Sequence, residues 1–300
     1  MTISNICFAR RACVVAAALI NLSAMATEGG GSVYPNGSDS FTAGALPPPG
    51  TYGMLFGQSY SADRLNDSKG NNLNVPDFKV TANVLAPRFI WVPGTKVLGG
   101  DLSVHAIVPL VNLKVSVPGR SQSKTGIGDI VAGPGIGYHH SPKMHSIVGL
   151  DFYLPTGGYN KTDLANIGRN YWAIEPLYIL TYIDPDGFNG DIKAGYIVNR
   201  RNKDTDYTSG HEFHFDYAMG WGLGNGWTAG VGGYYYQQVT IDRQAGADVP
   251  NNKGKAFAMG PLIKYDNGKG LFVTLKWQKE TSVESRAQGN ALWLKAVFPL

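Results

Sequence analysis

Charged residues are scarce in this sequence, and long apolar runs are missing from most of it. Only 16% of the residues are charged, against about 25% in an ordinary soluble domain. Beyond the N-terminus, no stretch approaches the roughly 18 consecutive apolar residues of a membrane-spanning helix. The low charge indicates that much of the outer surface of the protein does not face water.

The first residues have the pattern of an export signal. Two arginines precede an apolar stretch at residues 12–22, and Ala24 and Ala26 form the small-residue pattern of a cleavage site. The apolar stretch is shorter than the roughly 20 residues that a helix needs to cross a bilayer, which argues against a retained anchor. We therefore predict that residues 1–26 are a signal peptide and that the mature chain begins near Thr27.

The mature chain would lack cysteine, because Cys7 and Cys13 both lie in the predicted signal peptide. This excludes disulfides and thiolate metal ligands. Loss of Arg10 and Arg11 takes the formal net charge of +4 down by two units, and no long basic run remains. We expect no nucleic acid among the partners.

About twelve segments of the mature chain alternate apolar and polar residues with a period of two, as β-strands do when their faces meet different environments. In residues 271–280, one face carries Leu275 and Trp277, while the other carries Lys276 and Glu280. A slip of one residue would invert both faces, so the register is strongly specified.

Two segments depart from the simple pattern. In residues 80–92 the alternation breaks near Pro87 and Arg88, which predicts a bulge because proline cannot donate a ladder hydrogen bond. Residues 291–300 keep one apolar face up to the end. They resemble the C-terminal strand by which outer-membrane barrels are recognised for assembly, although Leu300 replaces the usual aromatic residue.

The connections between these segments alternate between short and long. Short turns rich in Gly, Pro, Asn or Asp are predicted at residues 93–96, 140–143, 184–187, 224–226 and 267–269. Long polar loops are predicted at residues 61–76, 112–124, 156–169, 199–209, 241–253 and 281–288. Such alternation is typical of a transmembrane barrel with turns in the periplasm and loops outside.

A soluble barrel of the lipocalin type would show the same period with its apolar residues inside. Twelve strands would then enclose an apolar interior too wide to fill, and the export signal also favours the membrane alternative. We predict an all-β fold: an antiparallel transmembrane barrel of about twelve strands over residues 51–300, in the outer membrane.

Residues 27–50 precede the first alternating strand and are rich in glycine and proline, which excludes a regular ladder. We predict that they form a plug or constriction in the lumen, which is too wide to be filled by wall side chains alone. Tyr34 and Phe41 would then contact the solute. A loose periplasmic tail is the alternative.

The polar faces of the predicted strands define a candidate lumen wall with eight carboxylates, four lysines and two histidines. These residues are Asp101, His105, Asp129, Asp151, Glu175, Asp191, Lys193, Glu212, His214, Asp216, Lys264, Lys276, Glu280 and Lys295. The excess of carboxylates predicts a pore that disfavours anions. A salt-bridge network that merely satisfies a polar interior is the alternative, and the two are compatible.

Short motifs along nearly the whole mature chain resemble those of a known protein family. They are Tyr34 to Gly37, Phe41, Ala43 to Gly50, Tyr60 to Asn66, Pro87 to Trp91, Gly126 to Asp129, Gly149 to Phe152, Leu154 to Gly157 and Asn166 to Trp172. Together they resemble the family named for the meta-cleavage pathway of phenol degradation. The resemblance implies an outer-membrane barrel linked to aromatic catabolism and described as a transporter.

Other chemistry has weaker support. The glycines of residues 126–133 are not followed by a helix pattern, as a phosphate loop would require. Three histidines, His139, His140 and His145, lie near a turn without a carboxylate to complete a metal site. Ser209 and His211 could belong to a lipid-modifying hydrolase, but no orienting Asn or Asp shares their face.

We expect a non-enzymatic channel for small aromatic or hydrophobic molecules, without cofactor or metal. A lipid-modifying hydrolase and a structural or adhesive barrel are the alternatives. The expected partners are the solute, outer-membrane lipids and the barrel-assembly machinery, and the sequence does not define an oligomeric state.

Overall fold

The computed structural model of the protein describes residues 27, 28 and 30–300. The signal peptide predicted at residues 1–26 lies outside the described residues. Within that part of the chain, no helix is long and apolar enough to span a membrane.

The described chain contains nineteen β-strands, of which the long ones form the wall of a barrel. They are β1 (Gly50–Leu65), β2 (Lys79–Val92), β3 (Lys96–Val97), β4 (Gly100–Ile107), β5 (Leu110–Val117), β6 (Arg120–Ile127), β7 (Ile130–His139), β8 (Met144–Leu154), β9 (Ala173–Tyr182), β10 (Phe188–Asn199), β11 (Arg201–Asn202), β12 (Tyr207–Thr208), β13 (Glu212–Gly222), β14 (Trp227–Gln238), β15 (Asp242–Gln244), β16 (Ala247–Val249), β17 (Lys255–Asp266), β18 (Phe272–Glu284) and β19 (Ala287–Pro299).

The wall has twelve positions. β4 and β5 share one position and β6 and β7 share the next, with short interruptions at residues 108–109 and 128–129. The barrel closes because β19 pairs antiparallel with β1, from Tyr52 opposite Pro299 to Leu65 opposite Ala287. The predicted antiparallel barrel of about twelve strands is confirmed.

Alternation along each strand separates the two faces of the wall. In β18, Lys276 and Gln278 are each 1% exposed, whereas Leu275 and Trp277 are 45% and 43% exposed. Large apolar side chains therefore point outward and polar ones inward. An apolar outer band is what a lipid-facing barrel requires, and it explains the low charge of the sequence.

The predicted loop at residues 112–124 is wrong. β5 and β6 form a hairpin there, paired from Leu110 opposite Ile127 to Val117 opposite Arg120. β6 is polar on both faces, whereas β5 alternates in the sense opposite to the wall strands: Leu113 and Val115 are half-buried and line the cavity side, and Asn112 and Lys114 are exposed. Polar residues dominate residues 112–124 and the outward face of β5 is not apolar, so the sequence predicted a loop.

The predicted bulge at Pro87 and Arg88 is also wrong. β2 pairs with β1 in one unbroken register, and its inward face continues through Ala86, Arg88 and Ile90. The irregularity lies in the neighbouring strand instead, between β4 and β5, where Pro109 cannot donate. Arg88 is therefore an inward cation that sequence reading missed.

Residues 30–49 contain no strand and lie inside the barrel. Leu46 packs against the β2 side chains Ile90 and Val92, and Phe41 packs against Ala218 of β13 and Leu262 of β17. These strands lie on different sides of the wall, so the segment crosses the interior. At the end with the longer loops, β11, β12, β15 and β16 form a small four-stranded sheet outside the wall.

Candidate functional site

Carboxylates of the wall hold the backbone of the N-terminal segment, by which we mean residues 27, 28 and 30–49. Asp216 accepts hydrogen bonds from Tyr34 Oη at 2.7 Å, from Gly37 N at 2.8 Å and from Asp39 N at 2.8 Å. Asp191 accepts from the backbone nitrogens of residues 42 and 43 at 3.0 and 2.9 Å. Charged acceptors strengthen such bonds, so two wall carboxylates fix the course of the segment.

Lysines of the wall bind the other polar groups of the segment. Lys276 Nζ donates to the Asp39 carbonyl at 2.7 Å, and Lys295 Nζ donates to the Phe41 carbonyl at 3.0 Å. The Asp39 carboxylate lies 3.3 Å from Lys193 Nζ and 3.9 Å from Lys295 Nζ. All of these groups are buried, so charge of both signs is balanced inside the barrel rather than left in open water.

The two aromatic residues predicted to contact solute are enclosed. The Tyr34 ring stacks on His214 with the ring centroids 4.0 Å apart, and Lys193 Nζ lies 4.4 Å from its centroid. Tyr34 is 4% exposed and Phe41 is fully buried. Little of the Tyr34 surface and none of the Phe41 surface is open to a solute in this arrangement, so full contact with either ring would require the segment to move.

A second buried network lies on the wall beside Tyr34. His214 Nε2 lies 2.9 Å from Glu175 Oε1, and Tyr153 donates to the same carboxylate. Gly195 makes room for the pair, because a Cβ there would overlap Glu175 Oε1. His105 and Asp151 form a similar pair at 2.8 Å, and Glu212 accepts from Asn199 Nδ2 at 2.7 Å.

Three of the predicted residues contact neither the N-terminal segment nor this second network, and they do not line the cavity described below. Asp101 pairs with Lys96 at 2.9 Å near the short turn before β4. Asp129 accepts from the backbone nitrogens of residues 157 and 169 at 2.8 and 2.7 Å, and so anchors a loop. Lys264 lies 3.8 Å from Asp266, next to the turn after β17.

Sequence reading missed Asp39, Arg88 and Arg286. Asp39 lies in a segment without periodicity. Arg88 was not assigned to the inward face because Pro87 beside it suggested a bulge. Arg286 follows β18 at the loop end of the barrel, where its guanidinium carbon lies 4.6 Å from the Tyr236 ring centroid. The buried Nε atoms of Arg88 and Arg286 have no hydrogen-bond partner among the described residues.

A cavity of about 530 Å³ lies between the N-terminal segment and the longer loops. On the side of the N-terminal segment, the cavity is bounded by Tyr34, Pro35 and Asn36. Aromatic and charged side chains form much of the remaining wall: Tyr60, Phe78, Tyr159, Arg169, Tyr234, Glu280 and Arg286. The Glu280 carboxylate is already bonded by Tyr60 Oη at 3.0 Å, Tyr234 Oη and the backbone nitrogen of residue 289 at 2.7 Å.

The residues considered for other chemistry are not assembled into a site. In the described part of the chain, no three metal-ligating side chains come together. His139 Nδ1 lies 2.8 Å from His145 Nδ1, without a third ligand. Ser209 Oγ accepts from the backbone nitrogen of Glu28 at 3.0 Å, whereas His211 Nδ1 lies 3.3 Å from Tyr196 Oη.

A closed antiparallel barrel with an apolar outer band and a polar interior defines an outer-membrane β-barrel protein. An outer membrane channel from Pseudomonas putida F1 superposes with a TM-score of 0.77 at 17% identity, covering 87% of this chain and 99% of that one. The transport unit of the autotransporter AIDA-I from Escherichia coli gives a TM-score of 0.50 at 8% identity, covering 87% and 93%.

The sequence itself identifies the family. A family model described as "Putative MetA-pathway of phenol degradation" matches residues 62–296. The chain belongs to this family. No curated protein sequence matches the chain.

Proposed function

We propose that the protein is an uptake channel for small aromatic or hydrophobic molecules and that it is not an enzyme. The cavity inside the outer half of the barrel carries this proposal. Its volume of about 530 Å³ falls in the range of small-molecule sites, roughly 300–1,000 Å³. The rings of Tyr60, Phe78 and Tyr159 give it aromatic surface. The similar P. putida protein is an outer membrane channel, and the family is linked to phenol degradation, so both support the same function.

The N-terminal segment is the gate of the proposed pathway. It closes the inner side of the cavity at Tyr34 to Asn36 and is held by hydrogen bonds to Asp216, Asp191 and Lys295. A solute that reaches the cavity passes inward when these bonds break and the segment shifts. The buried charges of the wall then line the path that opens.

The outer surface of the barrel supports two of the expected partners, membrane lipids and the barrel-assembly machinery. The apolar outward face of the strands contacts outer-membrane lipids. β19 keeps that face to Phe298 and pairs with β1, which makes it the strand for the barrel-assembly machinery to recognise.

Block of the ionic current tests the solute class, because neutral aromatic molecules cross lipid too readily for a vesicle flux assay. Benzyl alcohol added on the loop side should block the current at lower concentration than glucose. Phe78→Ala removes one ring of the cavity, which should cost about 1 kcal/mol and raise the half-blocking concentration roughly fivefold.

Trp221→Ala is the matched control, because Trp221 is an aromatic residue on the outward face, with 58% of its surface exposed. It should leave the block unchanged. Equal block by glucose and benzyl alcohol would contradict the proposed solute class.

A further inference from the structure

The tip of the N-terminal segment is fixed at the loop end of the barrel, far from the start of β1. The Glu28 carboxylate accepts from Tyr159 Oη at 3.0 Å and from Asn202 Nδ2 at 2.8 Å. The Glu28 carbonyl accepts from Arg169 Nη1 at 3.2 Å. Thr27 is 1% exposed. Several outer loops therefore hold two residues that directly follow the predicted cleavage site.

The backbone nitrogen of Thr27 donates to the carboxylate of Asp242. This carboxylate is fully buried. Its other hydrogen-bond donors are the Tyr207 hydroxyl, the Gly210 backbone nitrogen at 2.6 Å, the Gln238 amide and the Asn252 amide at 2.6 Å. All four donors are neutral. Burial raises the pKa of the Asp242 carboxyl above its usual value, because a buried carboxylate without a cation is costly.

Cleavage after Ala26 would supply that cation. Hydrolysis adds one water to the peptide bond: the released peptide takes a carboxylate at Ala26, and Thr27 takes an amine. The pKa of an α-amino group is about 7.7–8.0, so the amine is protonated at neutral pH. The atom that donates to Asp242 as an amide nitrogen would become an ammonium at the same position.

We propose that the pocket around Asp242 is a binding site for the α-ammonium of Thr27, formed when residues 1–26 are removed. The ion pair fastens the outer end of the N-terminal segment to the loops, while the peptide bond to β1 fastens its inner end. The residue after which the signal peptide is cut thus determines whether this ion pair forms. A new N-terminus at another residue would leave Asp242 buried without its cation.

Mass spectrometry of the mature protein, purified from outer membranes, gives the first test. The expected N-terminal residue is Thr27, and any other would overturn the proposal. An amine-reactive probe at neutral pH gives the second test, with labelling of the N-terminal peptide followed over time. We expect protection in the wild type and labelling at least tenfold faster in Asp242→Asn.

Asp248→Asn is the matched control, because Asp248 belongs to the same loop sheet but pairs with exposed Arg243 at 3.0 Å. It should leave the N-terminus protected. Equal labelling of the wild type and Asp242→Asn would overturn the proposal.

A second variant covers the case in which Asp242→Asn does not fold. Two residues, Gly-Ser, are inserted between Ala26 and Thr27, so that the cut leaves the ammonium two residues too early. Its N-terminus should label as fast as that of Asp242→Asn, and its loops should be cut faster by trypsin. Wild-type protection of this N-terminus would contradict an ion pair specific to Thr27.

Discussion

Asp216→Asn should loosen the N-terminal segment without removing it. Asp216 accepts three hydrogen bonds from the segment, from Tyr34, Gly37 and Asp39. Hydrogen bonds to a charged group contribute about 1.5–3 kcal/mol each, and neutral ones about 0.5–1.5 kcal/mol. Asparagine keeps one oxygen, so at least one bond is lost and the others become neutral. The loss is about 3.5–6 kcal/mol, which favours the released segment by at least about 300-fold.

Planar-bilayer recordings measure the effect as the frequency of openings to a larger conductance. Asp191 and Lys295 still hold the segment in the variant, so we expect frequent openings rather than a permanently open pore. Asp101→Asn is the matched control, because Asp101 also lies on a wall strand but pairs with Lys96. Wild-type behaviour of Asp216→Asn, or an equal effect of Asp101→Asn, would refute the role of Asp216 as an anchor.

Three further predictions concern the wall. Gly137→Leu should lower the melting temperature, since a Cβ there would lie 2.7 Å from the Leu46 Cβ and overpacking costs about 1–3 kcal/mol. Leu46→Gly removes that Cβ and should restore part of the lost stability, and a failure to do so would disprove the contact. The excess of lumen carboxylates predicts that the pore prefers cations over anions, and the inward Arg88 weakens this preference. Arg88→Gln should therefore increase the cation preference measured in asymmetric salt. A shift toward anions would contradict this role of Arg88. Leu275→Arg should destabilise the barrel in lipid vesicles by up to about 2–4 kcal/mol in urea titrations, which is the cost of an arginine on the lipid face at the bilayer midplane. No change would mean that Leu275 does not face lipid.

The architecture could be predicted because each strand separates lipid from a polar interior. In β18 this alternation determines which face Leu275 and Lys276 take, and the structure agrees at both. In the hairpin of β5 and β6 the prediction failed, because the outward face of β5 is polar and β6 is polar on both faces. The alternation therefore predicted strands only where the outward face is apolar and the inward face is polar.

The contacts of the N-terminal segment could not be predicted in the same way. Its prolines and glycines indicated that it is not a strand, but nothing periodic identifies which residue faces which strand. Asp39 and its partner Lys193 are far apart in sequence, and only the closed barrel brings them to 3.3 Å. Arg88 was missed for a local reason, because Pro87 suggested a bulge that the continuous pairing of β2 with β1 excludes.

Single-channel conductance after deletion of residues 28–46 tests the central claim most directly, because these residues make nearly all the contacts that would close the lumen. Slower gel migration after boiling, compared with an unboiled sample, would show that the variant is a folded barrel. We predict a conductance clearly larger than that of the wild type, with weaker block by benzyl alcohol. An unchanged conductance in a folded barrel would contradict the account of a channel gated by its N-terminal segment.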